Sequence, residues 1–293
     1  MTNDQKFNQT PHTKWINQLF SSFTQNGDIK IYFEQKEKLK DLNPTLNLSI
    51  HPIRFADDIF LNFETNDDAL KQKLKKYEVN YDIFYHHADI IKASYLKTAK
   101  KNMIKKNSLL LIGQTEQDTV VFDGKKYLSL VDFISHIKEI SKNYDTVYFK
   151  PHPYAKNNKQ ILNNLKTQIP NISITYENIY HLLSNENIKE VVALNSSVLY
   201  EAKYFRKKVT FLYNSYFDFT SNDIGIYNSY FTSKFWSDIL EIQDTNISLP
   251  LSQNRLRKSL NNFWGYAEIN DEIILKNILK TKIKYLISKY IRW

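Results

Sequence analysis

Short apolar runs alternate with longer amphipathic segments most regularly between residues 108 and 213. Runs rich in Val, Ile and Leu predict strands, whereas apolar residues spaced three and four positions apart predict helices. The predicted strands are 109–112, 146–149, 172–175, 190–194 and 209–212, and the predicted helices are 129–141, 156–167, 179–183 and 197–205. Because strands and helices alternate, we expect βαβ units and a parallel sheet, which is an α/β fold.

The pattern on either side of this region is less regular. Before it, the sequence predicts strands at 29–33, 46–50, 59–63 and 81–85, and helices at 67–76 (with Asn66 as N-cap) and 88–106. After it, residues 213–246 are expected to form irregular loops and short helices, followed by helices at 252–263 and 271–290. We therefore predict an N-terminal domain of residues 1–105, a second domain of residues 106–250, and terminal helices in 251–293 that pack back on the N-terminal domain or on a membrane.

Composition narrows the class of protein. The chain has 293 residues, of which 42% are hydrophobic and 24% are charged, as is usual for a globular protein. It has no cysteine, which excludes disulfides, cysteine zinc sites and thiol catalysis. Its five glycines cannot form a dinucleotide-binding or P-loop motif. No secretory signal or run of about 18 apolar residues is visible, so we expect a cytoplasmic protein.

The net charge is +9, which favours anionic partners such as nucleotides, anionic sugars, lipid head groups or nucleic acid. Part of the excess lies between Lys276 and Trp293, where six basic residues alternate with apolar ones and no acid occurs. Such a basic amphipathic helix can lie on the inner surface of the cytoplasmic membrane. The alternative is a helix packed on its own domain with its lysines facing water.

Polar side chains follow three of the predicted strands directly. They are Gln114, Glu116 and Asp118 after the first, Lys150, His152 and Pro153 after the second, and Asn195, Ser196 and Ser197 after the fourth. In a parallel α/β sheet, ligands bind at the carboxyl ends of the strands, so we expect these groups to converge on one crevice. The set suits a negatively charged ligand together with acid, base or nucleophile chemistry.

Each group also has an ordinary structural explanation. Asp118 and Glu116 could supply a nucleophile or base with its orienting neighbour, or could belong to a solvated turn. His152 stands between two prolines that stiffen the segment, which suits phosphate binding beside Lys150 but also a structural turn. Ser196 and Ser197 begin a helix whose N-terminus could bind an anion, or they could only cap it.

Metal binding is not indicated by the histidines. His86 and His87 are adjacent and therefore point in different directions, and His51 is isolated before Pro52. A lone histidine is more often structural, and no Asp-x-Asp or clustered metal-ligand spacing occurs. We predict that the protein needs no metal.

The order Gly-Gln-x-Glu-x-Asp, Lys-Pro-His-Pro and Ser-Ser-x-x-x-Glu-Ala resembles the capsule-type β-Kdo glycosyltransferases of Gram-negative bacteria. The resemblance covers about residues 94 to 213. It implies a glycosyltransferase-B-like fold of two Rossmann-like domains with parallel sheets, an acceptor-side domain before residue 105 and a donor-binding domain after it. It also implies retaining transfer of Kdo from CMP-Kdo, without a cofactor, to a surface-polysaccharide or glycolipid acceptor.

The same resemblance implies a role for each residue of the crevice. Asp118 would be the catalytic nucleophile, and Gln114 and Glu116 would shape its pocket. Lys150 and His152, with Pro153, would contact the CMP phosphate, while Asn195, Ser196 and Ser197 would hold phosphate or the Kdo carboxylate and Glu201 would reach the ribose. The run from Phe211 to Phe217 departs from the family, whose members often carry a Gly- and Trp-containing run there.

Two alternatives remain open. Bacterial sialyltransferases also use CMP-activated ulosonic acids and also carry His-Pro and Ser-Ser motifs, but their base lies in an acidic-acidic-Gly motif. The nearest run here is Phe122-Asp123-Gly124, which lacks the first acid. The Gln-x-Glu-x-Asp loop favours Kdo over sialic acid or another nonulosonic acid as the donor sugar. The second alternative is a non-enzymatic basic protein that binds membranes or nucleic acid, but no RNA-binding signature is present and we expect no nucleic-acid partner.

Overall fold

The computed structural model describes residues 29–33, 36–55, 60–98, 104–213, 225–227 and 233–240, together with 279 and 283. Within these ranges the chain forms two compact units, each with its own sheet. None of the helices in the described part is long and apolar enough to cross a membrane.

Nine strands and seven α-helices are assigned among the described residues. The strands are β1 (Lys30–Phe33), β2 (Thr45–Ile50), β3 (Leu61–Thr65), β4 (Ser108–Ile112), β5 (Thr146–Lys150), β6 (Ile172–Ile174), β7 (Ile188–Ala193), β8 (Lys208–Phe211) and β9 (Gly225–Tyr227). The helices are α1 (Asp68–Lys75), α2 (Asp82–Thr98), α3 (Ile134–Ser141), α4 (Asn158–Gln168), α5 (Ile179–Ser184), α6 (Ser197–Tyr204) and α7 (Ser233–Leu240). Short 3-10 turns cover Lys36–Lys40, Thr119–Val121 and Leu130–Phe133.

The larger sheet confirms the predicted α/β fold. Its five strands run parallel in the order β6-β5-β4-β7-β8. The chain therefore builds outward from β4 to β6, returns to the other side of β4, and continues to β8. This reversal makes a switch point between β4 and β7, and a ligand crevice forms outside the strand ends at such a point.

Strand β4 is hydrophobic throughout because both faces of the sheet are covered. Leu109, Leu110 and Leu111 are all fully buried, although they alternate between the two faces. Leu109 and Leu111 share a core with apolar residues of α3 and α4, among them Ile137 and Leu165. The apolar stripe predicted for residues 129–141 is therefore core, as expected.

The segment 81–85 is helical, which corrects the predicted strand. The side chain of Asn80 accepts a hydrogen bond from the amide of Asp82 at 2.9 Å, and α2 begins there. Phe84, Ala88 and Tyr95 are buried at positions four and seven residues apart, which is the spacing of one helical face. A short aromatic run is compatible with either a strand or a helix. Here the helical spacing of the buried residues continues well beyond residue 85, so the segment is part of a helix.

The smaller sheet has the order β1-β2-β3-β9 and is mixed, whereas we predicted parallel sheets in both domains. Only β1 and β2 are parallel, and β3 pairs antiparallel with both of its neighbours. Strand β9 lies in a segment for which no strand was predicted.

The start of α1 also differs from the prediction. Its N-cap is Asp67, whose Oδ1 accepts from the amide of Leu70 at 2.6 Å. Asn66, the cap that we predicted, instead accepts a hydrogen bond from the amide of Thr45 at 2.7 Å. Its side chain therefore ties the end of β3 to the start of β2.

The structure divides the chain differently from the predicted boundary at residue 105. The described residues 51–55, 79–98 and 104–213 form the unit with the larger sheet, and those of 29–50, 60–78 and 225–240 form the other. Helix α2 joins the larger sheet because it packs on α5 and α6. An Arg206–Asp89 ion pair reinforces this packing. The predicted terminal helices lie outside the described residues, except for Leu279 and Ile283, which are helical and exposed.

Candidate active site

The three polar loops singled out in the sequence end neighbouring strands. Strand β4 lies between β5 and β7, so the loops after Ile112, Lys150 and Ala193 share one edge of the sheet. This confirms the predicted convergence at the level of strand order. The loops after β4 and β7 flank the switch point, where a parallel sheet opens to a ligand.

Gly113 allows the first two loops to approach each other closely. Its amide donates to the carbonyl of Lys150 at 2.8 Å. A Cβ at this position would lie 2.9 Å from the backbone nitrogen of His152 and 3.2 Å from the carbonyl oxygen of Lys150. Glycine is therefore required because backbone, rather than a movable side chain, occupies the space.

Asp118 is held in a fixed orientation by its own loop. Its Oδ2 accepts from Nε2 of Gln114 at 2.9 Å and lies 3.5 Å from the hydroxyl of Thr115, while its Oδ1 accepts from the amide of Val120 at 3.2 Å. The half-buried carboxylate is thus oriented, as a base or nucleophile requires. Gln114 is the residue that orients it.

Glu116 binds a different loop from Asp118. Its Oε1 accepts hydrogen bonds from the amides of Lys156 at 3.0 Å and Asn157 at 2.7 Å, directly before α4. A carboxylate at a helix start satisfies unpaired amide groups and interacts favourably with the helix dipole. The expectation that Glu116 shapes the catalytic pocket is therefore corrected: its carboxylate joins the loop after β4 to the loop after β5.

Asp123, the acid of the Phe122-Asp123-Gly124 run, also has a local role. Its exposed carboxylate accepts from the amides of Lys125 and Lys126, each at 2.8 Å. These hydrogen bonds lower its pKa. The side chain closes a tight turn in which Gly124 has a φ of 94°.

His152 is half buried and is presented as a hydrogen-bond donor. Its Nδ1 accepts from the amide of Tyr154 at 3.3 Å, which assigns the proton of the neutral ring to Nε2. Burial lowers the pKa of His152; the charge of Asp118 opposes this shift, and those of Arg54 and Lys150 add to it. The side chain of Asn158 donates to the carbonyl of His152 at 2.9 Å, so the segment is tied down by more than its prolines.

Lys150 and Pro153 differ in exposure. Lys150 donates from Nζ to the carbonyl oxygen of Glu177 at 2.7 Å, and burial lowers the pKa of this amine. Pro153 is exposed beside His152 and bounds the loop. The side chain of Lys150 therefore binds the loop after β6 rather than extending into solvent.

The residues after β7 form a helix N-terminus. The Oγ of Ser196 accepts from the amide of Val198 at 3.3 Å and caps α6, which is the structural alternative considered for this serine. Ser197 is the first helical residue and is half buried, and Asn195 is buried before it. The start of α6 thus lies at the same sheet edge as Asp118 and His152.

Glu201 is buried, with 1% of its surface exposed. Its Oε1 accepts from the amide of Arg54 at 2.8 Å and from the hydroxyl of Tyr180 at 2.9 Å. The expected contact with a ribose is therefore corrected, because this carboxylate serves the interior of the protein. His51 belongs to the segment that Glu201 binds. It is also buried and stacks on Phe84, as expected for a histidine with a structural role.

Comparison with known proteins places the chain in a family. A family model of alpha-2,8-polysialyltransferases (POLYST) matches residues 8–215, more than two thirds of the chain. No curated protein matches it. Among solved structures, Thermosulfurimonas dismutans KpsC, a beta Kdo 2,7 transferase, is similar over 71% of this chain and 77% of that chain, with a TM-score of 0.43 and 15% identity.

The matched family corresponds to the sialyltransferase alternative and not specifically to the Kdo transferases that the motifs resemble. Both groups transfer ulosonic acids from CMP donors, and this shared class is what the matched family supports. The chain belongs to the alpha-2,8-polysialyltransferase family, and it is a glycosyltransferase of the class that uses CMP-activated ulosonic acids.

Proposed function

We propose that the protein transfers sialic acid from CMP-sialic acid to a glycan acceptor of a surface polysaccharide, with Asp118 and His152 as its catalytic residues. The observation that carries the proposal is the arrangement of these two groups. An oriented carboxylate and a neutral imidazole that presents Nε2–H follow the adjacent strands β4 and β5 at the carboxyl edge of a parallel sheet. Sialic acid is favoured over Kdo because the matched family is one of polysialyltransferases.

The reaction exchanges one bond at the anomeric carbon. The acceptor hydroxyl oxygen bonds to that carbon as the bond from the carbon to the phosphate oxygen breaks. Asp118 takes the proton of the acceptor hydroxyl, and Nε2–H of His152 donates a hydrogen bond to the departing CMP phosphate. The N-terminus of α6, at Ser196 and Ser197, supplies amide groups to an anionic group of the donor.

Kdo transfer is the second candidate. It is supported by the hydrogen bond from Gln114 to Asp118. Both residues belong to the Gly-Gln-x-Glu-x-Asp motif that resembles the Kdo transferases, and the bond holds the carboxylate of Asp118 in one orientation. In that case Asp118 attacks the anomeric carbon, CMP leaves, and the acceptor displaces the carboxylate with net retention. A cytoplasmic location, a glycolipid acceptor and independence from metals belong to the proposal in both cases.

A donor assay with wild-type protein and two matched variants tests the assignment. We expect turnover of CMP-Neu5Ac rather than CMP-Kdo, and a loss of about 100- to 10,000-fold in Asp118→Asn with CMP affinity retained. Asp123→Asn is the control, since it removes a nearby carboxylate that only closes a turn.

The outcomes separate the alternatives. Loss of activity in Asp123→Asn with full activity in Asp118→Asn would transfer the catalytic role to Asp123. Turnover of CMP-Kdo alone would replace the donor. NMR of the product gives the anomeric configuration: inversion indicates that Asp118 is a base, and retention indicates that it is a nucleophile.

A further inference from the structure

A short segment from a distant part of the sequence is fixed over the larger sheet. Residues 51–55 follow β2, yet they belong to the unit that contains β4 to β8. His51 stacks on Phe84 with 5.8 Å between ring centroids. Phe55 packs edge-on against Tyr180 and Phe205 at 6.4 and 5.5 Å. Aromatic contacts therefore hold both ends of the segment.

The centre of the segment is held by a buried carboxylate. The amide of Arg54 donates to Oε1 of Glu201, and the hydroxyl of Tyr180 donates to the same oxygen. Ion-dipole hydrogen bonds of this kind are strong when the carboxylate is buried. The backbone of Arg54 is therefore fixed with respect to α5 and α6.

These contacts place the backbone of Arg54 beside α6, whose N-terminus belongs to the candidate active site. Glu201 lies in the middle of this helix, one turn after Ser197, and side chains on a helix lean toward its N-terminus. Tyr180 is the second residue of α5, which follows the loop after β6 at the same sheet edge. The charge of Arg54 also contributes to lowering the pKa of His152.

The donor has more negative groups than the three motifs have cations directed at it. A CMP-nonulosonic acid carries a phosphodiester and a carboxylate, whereas burial favours the neutral form of His152 and the amine of Lys150 donates to the carbonyl oxygen of Glu177. A guanidinium stays protonated under these conditions and matches the geometry of phosphate and carboxylate groups with two parallel donors.

We propose that Arg54 binds an anionic group of the CMP-linked donor and that Glu201 is the residue that positions Arg54 for this purpose. The inference rests on the proposed function and deepens it by adding a donor-binding residue from outside the three motifs. Arg54 contacts either the phosphate or the sugar carboxylate of the donor, and the experiment distinguishes these two groups.

The test compares Arg54→Met with Arg206→Met. Methionine keeps much of the aliphatic length and removes the charge, and Arg206 is an exposed arginine of the same unit that pairs with Asp89 on α2. Binding of CMP and of cytidine is measured by calorimetry, and KM is measured with the CMP-linked donor. Thermal unfolding reports on the fold of each variant.

We expect Arg54→Met to lose about 10- to 100-fold in affinity for the anionic ligand and Arg206→Met to bind as the wild type does. Weaker CMP binding with unchanged cytidine binding identifies the phosphate. Unchanged CMP binding with a donor KM raised about tenfold or more identifies the carboxylate. Should Arg54→Met unfold, Arg54→Lys replaces it, and the loss of affinity is expected because an ammonium cannot make two parallel hydrogen bonds.

CMP affinity and donor KM both within threefold of the wild type would overturn the inference. An equal loss in Arg206→Met would overturn it as well, since the effect would then be one of net charge or fold. Failure of the proposed function is distinguishable, because in that case the wild-type protein itself binds no CMP and transfers no nonulosonic acid, and the role of Arg54 falls with it.

Discussion

The imidazole of His152 lies among charges of both signs. Asp118 stabilises its protonated form, whereas Arg54, Lys150 and burial favour the neutral form. Burial is the largest of these influences, so the ring is neutral at a pH where an exposed histidine is partly charged. The neutral ring keeps the lone pair on Nδ1 that accepts from the amide of Tyr154, and it carries its proton on Nε2.

The titration of His152 provides a test at the residue scale. We expect an NMR midpoint below 6.5 in the wild type and a still lower one in Asp118→Asn, because that substitution removes the charge that raises the pKa. Since the unfolded state then binds the proton more tightly, stability falls as the pH decreases from 6.5 through the folded-state pKa. An unchanged or higher midpoint in Asp118→Asn would show that the two groups do not interact.

The positions of some residues could be predicted from the sequence, but the directions of other side chains could not. Asp118 and His152 were expected at strand ends because polar residues directly after buried strands stand out, and their catalytic roles stay predictions. Glu116 and Glu201 carry the same chemical group, but their hydrogen bonds to Lys156, Asn157, Arg54 and Tyr180 turn them toward the protein. Sequence position gives no information on which way a carboxylate points.

At the scale of elements, the loops after β4 and β5 depend on their close approach. Gly113 donates to Lys150 across this contact, and the segment that presents His152 begins immediately afterwards. The geometry of His152 is therefore coupled to the size of residue 113.

We expect Gly113→Ala to displace the 150–152 segment, because the new Cβ meets backbone atoms at 2.9 Å. The loss in unfolding free energy should be about 1–3 kcal/mol, and CMP affinity should fall about tenfold or more. Gly124→Ala is the control: it is strained by a φ of 94°, but a Cβ there meets no atom within 4 Å, so it should cost stability without weakening CMP binding. CMP affinity equal to that of the wild type in Gly113→Ala, measured by calorimetry, would refute the coupling.

Element types followed the hydrophobic pattern where that pattern was long. Every strand and helix predicted between residues 108 and 213 is present, with bounds shifted by a few residues. The segment 81–85 was misassigned because five residues are too short to separate a period of 2 from one of 3.6. The pairing directions of β3 and β9 depend on how distant segments meet, which periodicity does not encode.

At the scale of the whole molecule, the net charge of +9 and the basic segment between Lys276 and Trp293 raise the question of membrane binding. Leu279 and Ile283, two of its apolar residues, are 57% and 48% exposed and lie one helical turn apart. We therefore expect, as a prediction, that the six basic residues and these apolar residues bind an anionic lipid surface.

Deletion of residues 276–293 tests this partner. We expect the full chain to co-sediment with vesicles that contain anionic lipid and not with vesicles of phosphatidylcholine alone, and we expect the deletion to abolish binding. Substituting Leu279 and Ile283 together with Ser should weaken binding while the net charge stays at +9. Equal sedimentation of the truncated and full chains would rule out this segment as the membrane contact.

The sequence by itself determined the α/β class of the larger sheet and the strand ends that carry Asp118, His152 and Ser197. It could do so because burial on both faces of a parallel sheet imposes long apolar runs, and because polar groups at the ends of such runs meet at one edge. Only the tertiary structure decided that the carboxylates of Glu116 and Glu201 bind other parts of the protein, that Gly113 must lack a side chain, and that the backbone of Arg54 is held by α6. These features depend on contacts between residues as far apart as Arg54 and Glu201, and the direction of a side chain toward a distant partner leaves no local pattern in the sequence.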